Sequence, residues 1–457
     1  MSKINTKNLT VGSLNSHILR LSFPTMIGML LQAVYDLVDM IWIGFISPSA
    51  IAAMTLFSTF FWFVEVLNEI VGTSSVSLLA QSYGAADEQR VTKVASQTLL
   101  FKFVLATGGA ILLALALKPL FSFFTSDAEV ITYGLQYGLI RTLFLPVFFS
   151  SYSVNTIFRS TGDAKTPMKL LIVTAIINMV ADPLVMFDTI PGTRIKGLGW
   201  GIRGAAIATV FSISIAFLAG LILLLKGKAG IKIRFRDFFH LDKITSYKLI
   251  TIGLPAGLNL LLRNFSMFIF LRLVAIYGTK AIAVAGIAFR IYSFGMMPSW
   301  GLMMGSGVII GHNLGAERLD RALKAVRLST IDCLLFVSLI ALPILLFPSQ
   351  ILALFMGGAP PSMEGISLMW VIAPALLTGA AKSGMWSAFT GAGKNQPLLI
   401  ASIIGQWLIM VPFALIATLV VNAPIIWLWL AIVIGDLGEL LITIILYNKI
   451  DWISHRV

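Results

Sequence analysis

Residues 24–44 read PTMIGMLLQAVYDLVDMIWIG, and this stretch decides the fold of the chain. It is apolar over the length of a transmembrane helix, because about 20 apolar residues span the hydrocarbon core of a bilayer. Four polar side chains recur within it at spacings of three and four residues, so they share one helical face: Gln32, Tyr35, Asp36 and Asp39. A charge at the bilayer centre costs at least about 2.5–3.5 kcal/mol. The stretch therefore predicts a membrane helix with a functional polar face.

Apolar stretches of this kind alternate with short polar ones along the whole chain. Of the 457 residues, 58% are hydrophobic and 12% are charged, whereas soluble domains carry about 25% charged residues. An ordinary soluble protein is therefore excluded, and the predicted fold class is an all-α polytopic membrane protein with twelve transmembrane helices. We predict these spans near 16–46, 51–81, 94–117, 130–158, 168–187, 203–225, 249–277, 281–311, 328–347, 362–389, 397–420 and 424–447.

The basic residues indicate the topology. The net charge is +13, and most Lys and Arg residues fall in the segments on the side that holds both termini. The positive-inside rule then predicts a multi-pass protein of the cell membrane with both termini in the cytoplasm. The charge is a topology signal and not a nucleic-acid footprint, so no nucleic-acid partner is expected. The longest polar segment, KGKAGIKIRFRDFFHLDK (226–243), is predicted to lie on the anionic inner leaflet.

The two halves of the chain repeat each other at an offset of 231 residues. Three blocks carry the repeat: Pro24 recurs at Pro255, Gly84-Ala85 at Gly315-Ala316, and Gly162 at Gly393. The pattern predicts an N-lobe (1–225), a cytoplasmic linker (226–248) and a C-lobe (249–457) of six helices each. Because six is even, both lobes enter from the same side, and we expect a pseudo-two-fold axis along the membrane normal, as in transporters.

Further oxygen-bearing side chains lie in the first half. Asn178 and Asp182 share a face in NMVADPLVMF, and Asn155 and Thr209 lie in neighbouring spans. Carboxylate, amide and hydroxyl oxygens bind hard cations such as Na⁺, and carboxylates in an apolar cavity also hold protons. The plainer alternative is that these side chains bond backbone groups freed by nearby prolines. The second half lacks these acids, since Phe270 stands at the offset position of Asp39, and this asymmetry favours function.

Other charges at membrane depth leave more than one interpretation open. Glu65 and Glu69 share a helical face, and Lys102 in the next span could pair with either, as a structural ion pair or a proton relay. In the second half, Arg263 and Lys382 are expected to pair with acids or to reach the interface; facing a cavity, either would form a gate or an anion site.

Several function classes are disfavoured. No G-x-x-x-x-G-K-[ST] loop for ATP occurs, and the four His residues lie at span ends, in loops or in the tail, so an enzyme is not expected. No cofactor is expected beyond a coupling ion. Cys333, the single cysteine, has no partner for an intrachain disulfide.

The motifs as a set resemble the multidrug and toxic compound extrusion (MATE) transporters, with archaeal and DinF-like members the most similar. The resemblance is carried over the whole chain by YDLVDMIWIG (35–44), AQSYGA (80–85), RSTGDAKTP (159–167), NMVADPLVMF (178–187) and RGAAIAT (203–209). It implies two six-helix lobes and export of amphipathic, often cationic compounds in exchange for H⁺ or Na⁺.

Site residues follow from the resemblance position by position. The implied coupling site, with a possible Na⁺, comprises Asp39, Asn178, Asp182 and Thr209. The implied substrate cavity comprises Gln32, Tyr35 and Asn155, with Asp36 as a second acid where the family commonly has Asn, and Pro24 marks the bend of the first helix. NorM-like members carry acids in helices seven and ten, whereas the aligned positions here are near Arg263 and Gly379, so C-lobe coupling of that kind is not expected.

The resulting functional hypothesis is a monomeric, secondary active multidrug efflux antiporter. Its expected partners are small amphipathic or cationic substrates and membrane lipids. Two alternatives stay open at this point: a lipid-linked precursor flippase of the same superfamily, and a non-transporting membrane receptor or scaffold.

Overall fold

The chain is described by a computed structural model for residues 9–231, 233, 241–355, 362–455 and 457. Helices dominate these residues, and an isolated antiparallel bridge joins Thr189 and Lys196. The helices of the first half are α1 (Leu14–Gly44), α2 (Pro48–Gly84), α3 (Glu88–Phe124), α4 (Ala128–Leu143), α5 (Leu145–Ser160), α6 (Lys165–Met186) and α7 (Gly201–Leu225).

The second half follows the same plan with one long irregular helix. Its helices are α8 (Lys243–Val274), α9 (Thr279–Gly315), α10 (Leu319–Leu346), α11 (Pro348–Phe355), α12 (Met363–Ala392), α13 (Gln396–Ser402), α14 (Val411–Leu415) and α15 (Ile425–Lys449). Wide π-helical turns at Ile403–Met410 and Ile416–Val420 connect α13 and α14 into one continuous helix that ends at Val420.

Eleven of the helical segments are long and apolar enough to cross a membrane. The fourth predicted span, 130–158, is instead divided at Phe144 into α4 and α5. Pro146 accounts for the break, because proline lacks an N–H and its ring clashes with the carbonyl four residues earlier. With this divided span the described chain has twelve crossing segments, so the predicted all-helical polytopic fold is confirmed.

The internal repeat is visible in the helix boundaries. α2 spans Pro48–Gly84 and α9 spans Thr279–Gly315, so both ends are shifted by the offset found in the sequence. The turns after them also match, with a left-handed backbone at Ala86 (φ 57°) and at Glu317 (φ 59°). The two halves thus share one backbone plan down to single turns.

The described residues form two compact units, and two of the helices are split between them. The first unit contains Ile27–Gly253, and the second contains Leu254–Val457 together with residues 9–26. The start of α1 therefore packs in the second unit, and the start of α8 packs in the first. Both helices change unit close to an internal proline, Pro24 in α1 and Pro255 in α8.

Glycines allow these exchanged helix starts to approach closely. In the second unit, side chains at Gly301 and Gly305 of α9 would overlap Met26 and Ser22 of α1. In the first unit, a side chain at Gly253 of α8 would overlap the backbone of α2 at Ile70. Each helix start is therefore seated directly against its neighbour.

Large apolar side chains cover the outside of the helices. Leu112, Leu115 and Phe123 of α3 are 71%, 73% and 83% exposed. In water such a surface would be a large apolar patch, whereas in a bilayer it is matched by lipid tails. A core of aromatic residues lies behind it in the first unit, where Phe60 packs edge-on against Phe121 with ring centroids 5.2 Å apart.

The segment between the halves is anchored at its end. α7 ends at Leu225 and α8 begins at Lys243; residues 232 and 234–240 lie outside the described chain, so the prediction for the inner leaflet, like the division at 225 and 249, stays a prediction. Asp242 caps α8 by accepting bonds from the N–H (2.9 Å) and hydroxyl (2.6 Å) of Thr245, and Lys93 Nζ lies 3.1 Å from its carboxylate.

These contacts make the anchor sensitive to pH. The bonds from Thr245, together with Lys93, hold the pKa of Asp242 below its usual range. Its ionised form therefore stabilises the fold above the unfolded-state pKa of about 4, and that contribution is lost as the pH falls through the folded pKa.

We expect Asp242→Ala to lower the free energy of unfolding by about 1 kcal/mol, the usual value of a lost N-cap. Asp242→Asn keeps the cap and removes the charge, so its smaller deficit at pH 7 should disappear below about pH 4. Thermal unfolding of the detergent-solubilised protein measures both effects. An equal deficit for the two variants at all pH values would contradict the role of the carboxylate.

Candidate functional site

The polar face of α1 divides into a buried and an exposed part. Tyr35 and Asp39 are 5% and 3% exposed, whereas Gln32 and Asp36 lie at the exposed edge of the helix. The side-chain amide of Gln32 donates a hydrogen bond to Asp36 Oδ1 at 3.0 Å. Only one of the two acids on this face therefore points into the first unit.

The second acid of the predicted coupling site lies on α6. Asp182 and Asn178 are fully buried, and the Asn178 side-chain amide donates to Asp182 Oδ1 at 2.9 Å. Pro183 follows directly within the helix, where it leaves the carbonyl four residues earlier without its usual donor. The pair thus sits at a weakened turn of α6.

Small residues let α7 approach α6 and present Thr209. A side chain at Gly204 would come within 2.8 Å of the Val185 carbonyl oxygen, so the two helices are in backbone contact. Thr209, one helical turn beyond Ala205, is fully buried and donates its hydroxyl proton to the Ala205 carbonyl at 2.9 Å. The RGAAIAT motif therefore explains both the close packing and the position of the hydroxyl.

These helices bring Asp39 and Asp182 together. The two carboxylates interact electrostatically, and Tyr35 lies within interaction range of Thr209. Four buried oxygens of the group have no hydrogen-bond partner in the described part of the chain: Tyr35 Oη, Asp39 Oδ1, Asn178 Oδ1 and Asp182 Oδ2. Buried polar atoms are nearly always hydrogen-bonded. A proton or a hard cation would meet these acceptors, so the residues present fit either ion.

Asn155, a predicted cavity residue, comes from a further helix of the first unit. It is on α5, beyond the break in the fourth span, and its buried amide oxygen has no hydrogen-bond partner among the described residues. It therefore adds another open acceptor to this unit.

A cation that the sequence analysis missed completes the group. Arg141 of α4 interacts electrostatically with Asp36, Asp39 and Asp182. Its guanidinium carbon also lies 5.9 Å from the ring centroid of Phe61 and 5.8 Å from that of Tyr137. The sequence signal that could have revealed Arg141 is its spacing of four residues from Tyr137 inside an apolar span. The site therefore holds three acids and one internal counter-charge.

Two clefts adjoin these residues in the first unit. One is a narrow cleft lined by Arg141 and apolar side chains that include Phe61, Phe144 and Phe148. The other is lined by the predicted cavity residues Gln32 and Tyr35 with side chains of α6, among them Thr174. Apolar side chains thus stand beside a few polar groups in both clefts.

The second unit has a contrasting charged cluster. Lys382 Nζ lies 2.5 Å from Asp436 Oδ1 and 2.7 Å from Glu439 Oε2, and Arg263 Nη1 lies 3.0 Å from Glu439 Oε1. Ser402 adds a hydrogen bond of 2.6 Å to the same carboxylate. The expected pairing of these residues is therefore found, and the carboxylates are neutralised by fixed protein cations.

Comparison with known proteins gives a consistent family. The MatE family model matches residues 24–184 and 255–430. The chain is 26% identical over 409 residues to "Probable multidrug resistance protein YoeA" of Bacillus subtilis, covering 89% of this chain and 87% of that protein. It is also 26% identical over 360 residues to an FAD transporter of Shewanella oneidensis, covering 78% and 77%.

The fold agrees with solved structures over nearly its full length. A transporter of the MOP superfamily from Pyrococcus furiosus superimposes with a TM-score of 0.87 at 25% identity, covering 97% of each chain. The greater similarity to archaeal and DinF-like members stays a prediction.

We expect the charged cluster of the second unit to stabilise the fold through Lys382. Lys382→Met should lower the free energy of unfolding by about 3–5 kcal/mol, because removing one partner of a buried ion pair leaves uncompensated carboxylates. Lys394→Met is the matched control, since Lys394 is half-buried, donates to the Asp451 carbonyl at 3.1 Å and forms no ion pair among the described residues. Thermal unfolding in detergent compares the two, and equal stabilities would contradict the prediction.

Proposed function

The chain belongs to the MatE family of multidrug and toxic compound extrusion transporters, and we propose that it is a secondary active efflux antiporter coupled through the buried carboxylates of its first unit. Family membership confirms that the protein is a multi-pass membrane transporter and not an enzyme. The observation that carries the proposal is the set of unpartnered buried oxygens on Asp39, Asn178 and Asp182.

The two acids supply the coupling. Asp39 and Asp182 come from different helices, are both buried and lie within electrostatic range of each other, so two negative charges there repel. Binding of a proton or of Na⁺ removes this repulsion and favours drawing α1 towards α6. A substrate that occupies the clefts beside Tyr35 favours the open arrangement instead. Because ion and substrate stabilise different states, the downhill ion drives substrate out.

The coupling ion is H⁺ or Na⁺. A proton needs a single carboxylate oxygen, and Na⁺ needs several oxygens at once. Asp39, Asp182 and the Asn178 amide carbonyl offer such oxygens, with the Thr209 hydroxyl on the adjacent helix. Arg141 balances one of the three acids of the site. No further cofactor is required for this reaction.

The proposed substrates are small amphipathic compounds, often cationic. The exposed carboxylate of Asp36 and the apolar lining of both clefts support this class, as do relatives named for multidrug resistance. A second class rests on the relative named as an FAD transporter. An aromatic anion could stack on Phe61 and Phe148 and pair with Arg141, so a flavin nucleotide is the substrate to test next.

The proposal also covers how the protein is arranged in the membrane. We place the protein in the cell membrane as a monomer with both termini in the cytoplasm, surrounded by lipid. Its lobes are 1–225 and 249–457, joined by the linker 226–248. Two alternatives remain if the antiport proposal fails. One is a flippase for lipid-linked precursors, and the other is a receptor or scaffold that transports nothing.

In proteoliposomes, efflux of a fluorescent cationic dye should follow an imposed proton gradient or sodium gradient, and not both equally. Asp39→Asn and Asp182→Asn should each abolish the gradient-dependent part, because an amide cannot hold the proton and binds Na⁺ more weakly. Glu88→Gln is the control, since Glu88 is an exposed acid in the first turn of α3.

The outcomes separate the hypotheses. Dye efflux that persists in both acid variants would overturn the carboxylate site while leaving an efflux transporter. Flux of a lipid-linked substrate without dye flux would favour the flippase. A substrate that raises the unfolding temperature without any flux would favour the receptor.

Pro24 is proposed as the bend of α1 that accompanies ion binding. Pro24→Ala should favour a straight helix by about 3 kcal/mol and slow gradient-driven efflux by about tenfold or more, while dye binding is preserved. Pro119→Ala is the matched control, because Pro119 also lies inside a long apolar helix. Equal slowing by both substitutions would point to general helix damage.

A further inference from the structure

The first unit contains a second cluster of buried and half-buried ionisable groups that the proposed coupling site does not use. Glu65 and Glu69 project from α2 and Lys102 from α3, and Tyr152 and Arg159 of α5 close the cluster. Lys102 is fully buried. Charges so placed in a spanning bundle need a structural or a functional reason.

The helices are shaped to admit the lysine. Gly72 of α2 lies beside it, and a side chain there would stand 3.6 Å from both Lys102 Nζ and the Tyr152 ring. The ammonium therefore reaches between α2 and α5, with its nitrogen 4.7 Å from the centroid of the Tyr152 ring.

The hydrogen bonds of the cluster are incomplete. The Asn68 amide donates to Glu65 Oε1, and the Thr73 hydroxyl donates to Glu69 Oε1. Lys102 Nζ and Glu65 Oε2 have no hydrogen-bond partner among the residues that the structure describes. The charged groups that face the lysine are Glu65, Glu69 and Arg159. The cluster thus contains a buried donor and a buried acceptor that do not bond each other.

A structural ion pair would look different, as the second unit shows. There Lys382 donates to two carboxylates at 2.5 and 2.7 Å. Lys102 has cationic and acidic neighbours but makes no such bond. A buried ammonium without an acceptor costs free energy, and so does a buried carboxylate with an open oxygen. Moving one proton from the ammonium to Glu65 leaves a neutral amine and a neutral acid, which removes both costs.

We propose that Glu65, Glu69 and Lys102 form a second proton-exchange site of the first unit, which takes up and releases one proton in each transport cycle. The Lys102 amine or a Glu65 oxygen gains the proton, and no other bond changes. This inference rests on the proposed antiport and names the proton as its coupling ion. It leaves Asp39 and Asp182 as the site where the ion competes with substrate.

The two sites lie next to each other along α2. Phe61, which contacts Arg141 of the first site, is one helical turn from Glu65, or about 6 Å along the helix. Phe61 and Phe148 pack edge-on with centroids 5.3 Å apart, and Phe148 is in turn one turn from Tyr152. This aromatic pair forms an apolar layer between the sites, so protons pass only when the rings or water rearrange.

The test uses the double substitution Glu65→Gln with Lys102→Met, which keeps the net charge of the cluster. The unfolding temperature of the full-length protein is measured against pH, and so is proton-driven dye efflux. The variant should lose one titrating group from the stability curve between pH 5 and 9. The efflux rate of the variant should depend on one proton fewer. Its plot against pH should therefore be shallower by about a tenfold change in rate per pH unit. The single variant Glu65→Asp, which keeps a carboxylate beside an intact Lys102, should give both curves the same shape as in the wild type.

Two controls separate this inference from the antiport. Lys93→Gln with Asp242→Asn removes an ion pair of the same unit that lies 54% and 27% exposed. It should lower the unfolding temperature by the same amount at every pH between 5 and 9, so the shape of both curves should not change in this range. Asp39→Asn with Asp182→Asn should abolish efflux while the stability curve keeps the group assigned to Glu65 and Lys102. Wild-type efflux driven only by Na⁺ would end the proton proposal, whatever the stability curve shows.

Curves identical to wild type in the Glu65 and Lys102 double variant, with proton-driven efflux intact, would overturn the second site and leave the antiport standing. If that variant does not fold, the single Glu65→Gln variant carries the expectation. Its infrared difference spectrum between acidic and alkaline pH should lack one protonated-carboxyl band. A spectrum with every band retained would also overturn the proposal.

Discussion

A polar atom inside a bilayer has no water to replace a missing protein partner, and this constraint orders the whole structure. The first unit leaves oxygens of Asp39, Asn178 and Asp182 without hydrogen bonds in the described chain. The second unit does the reverse, because Lys382 and Arg263 saturate Asp436 and Glu439. The first of these two clusters therefore retains unmet binding capacity, and the second uses its charges to hold helices together.

The two units reached these opposite states on one backbone plan. The position of Asp39 in the first half corresponds to Phe270 in the second. Phe270 is 1% exposed and packs against Phe289 and Trp429, with ring centroids 6.1 and 6.2 Å away. An aromatic core thus fills the place of the acid. Since glycines and helix boundaries are shared while the charges are not, the fold does not require the acids.

The spans and the polar face of α1 could be predicted from the sequence because both depend on local periodicity. The break at Phe144 could not, since α4 and α5 together form one apolar window and only Pro146 marks the interruption. Arg141 was missed for a related reason: a lone cation in an apolar window has no meaning until folding brings three acids to it. The helices α3 and α10 begin at Glu88 and Leu319, before their predicted spans of 94–117 and 328–347, because their polar first turns are also helical.

The exchanged starts of α1 and α8 have a consequence for how such a chain could arise. The start of α1 covers Gly301 and Gly305 of α9, and the start of α8 covers α2 at Ile70. A single six-helix repeat would leave this surface bare and could cover it only by trading helix starts with a second copy, as in a domain-swapped dimer. Gene fusion of two such copies preserves the swap within one polypeptide. It also frees each copy to diverge, one towards buried acids with unpartnered oxygens and the other towards a fixed internal charge network.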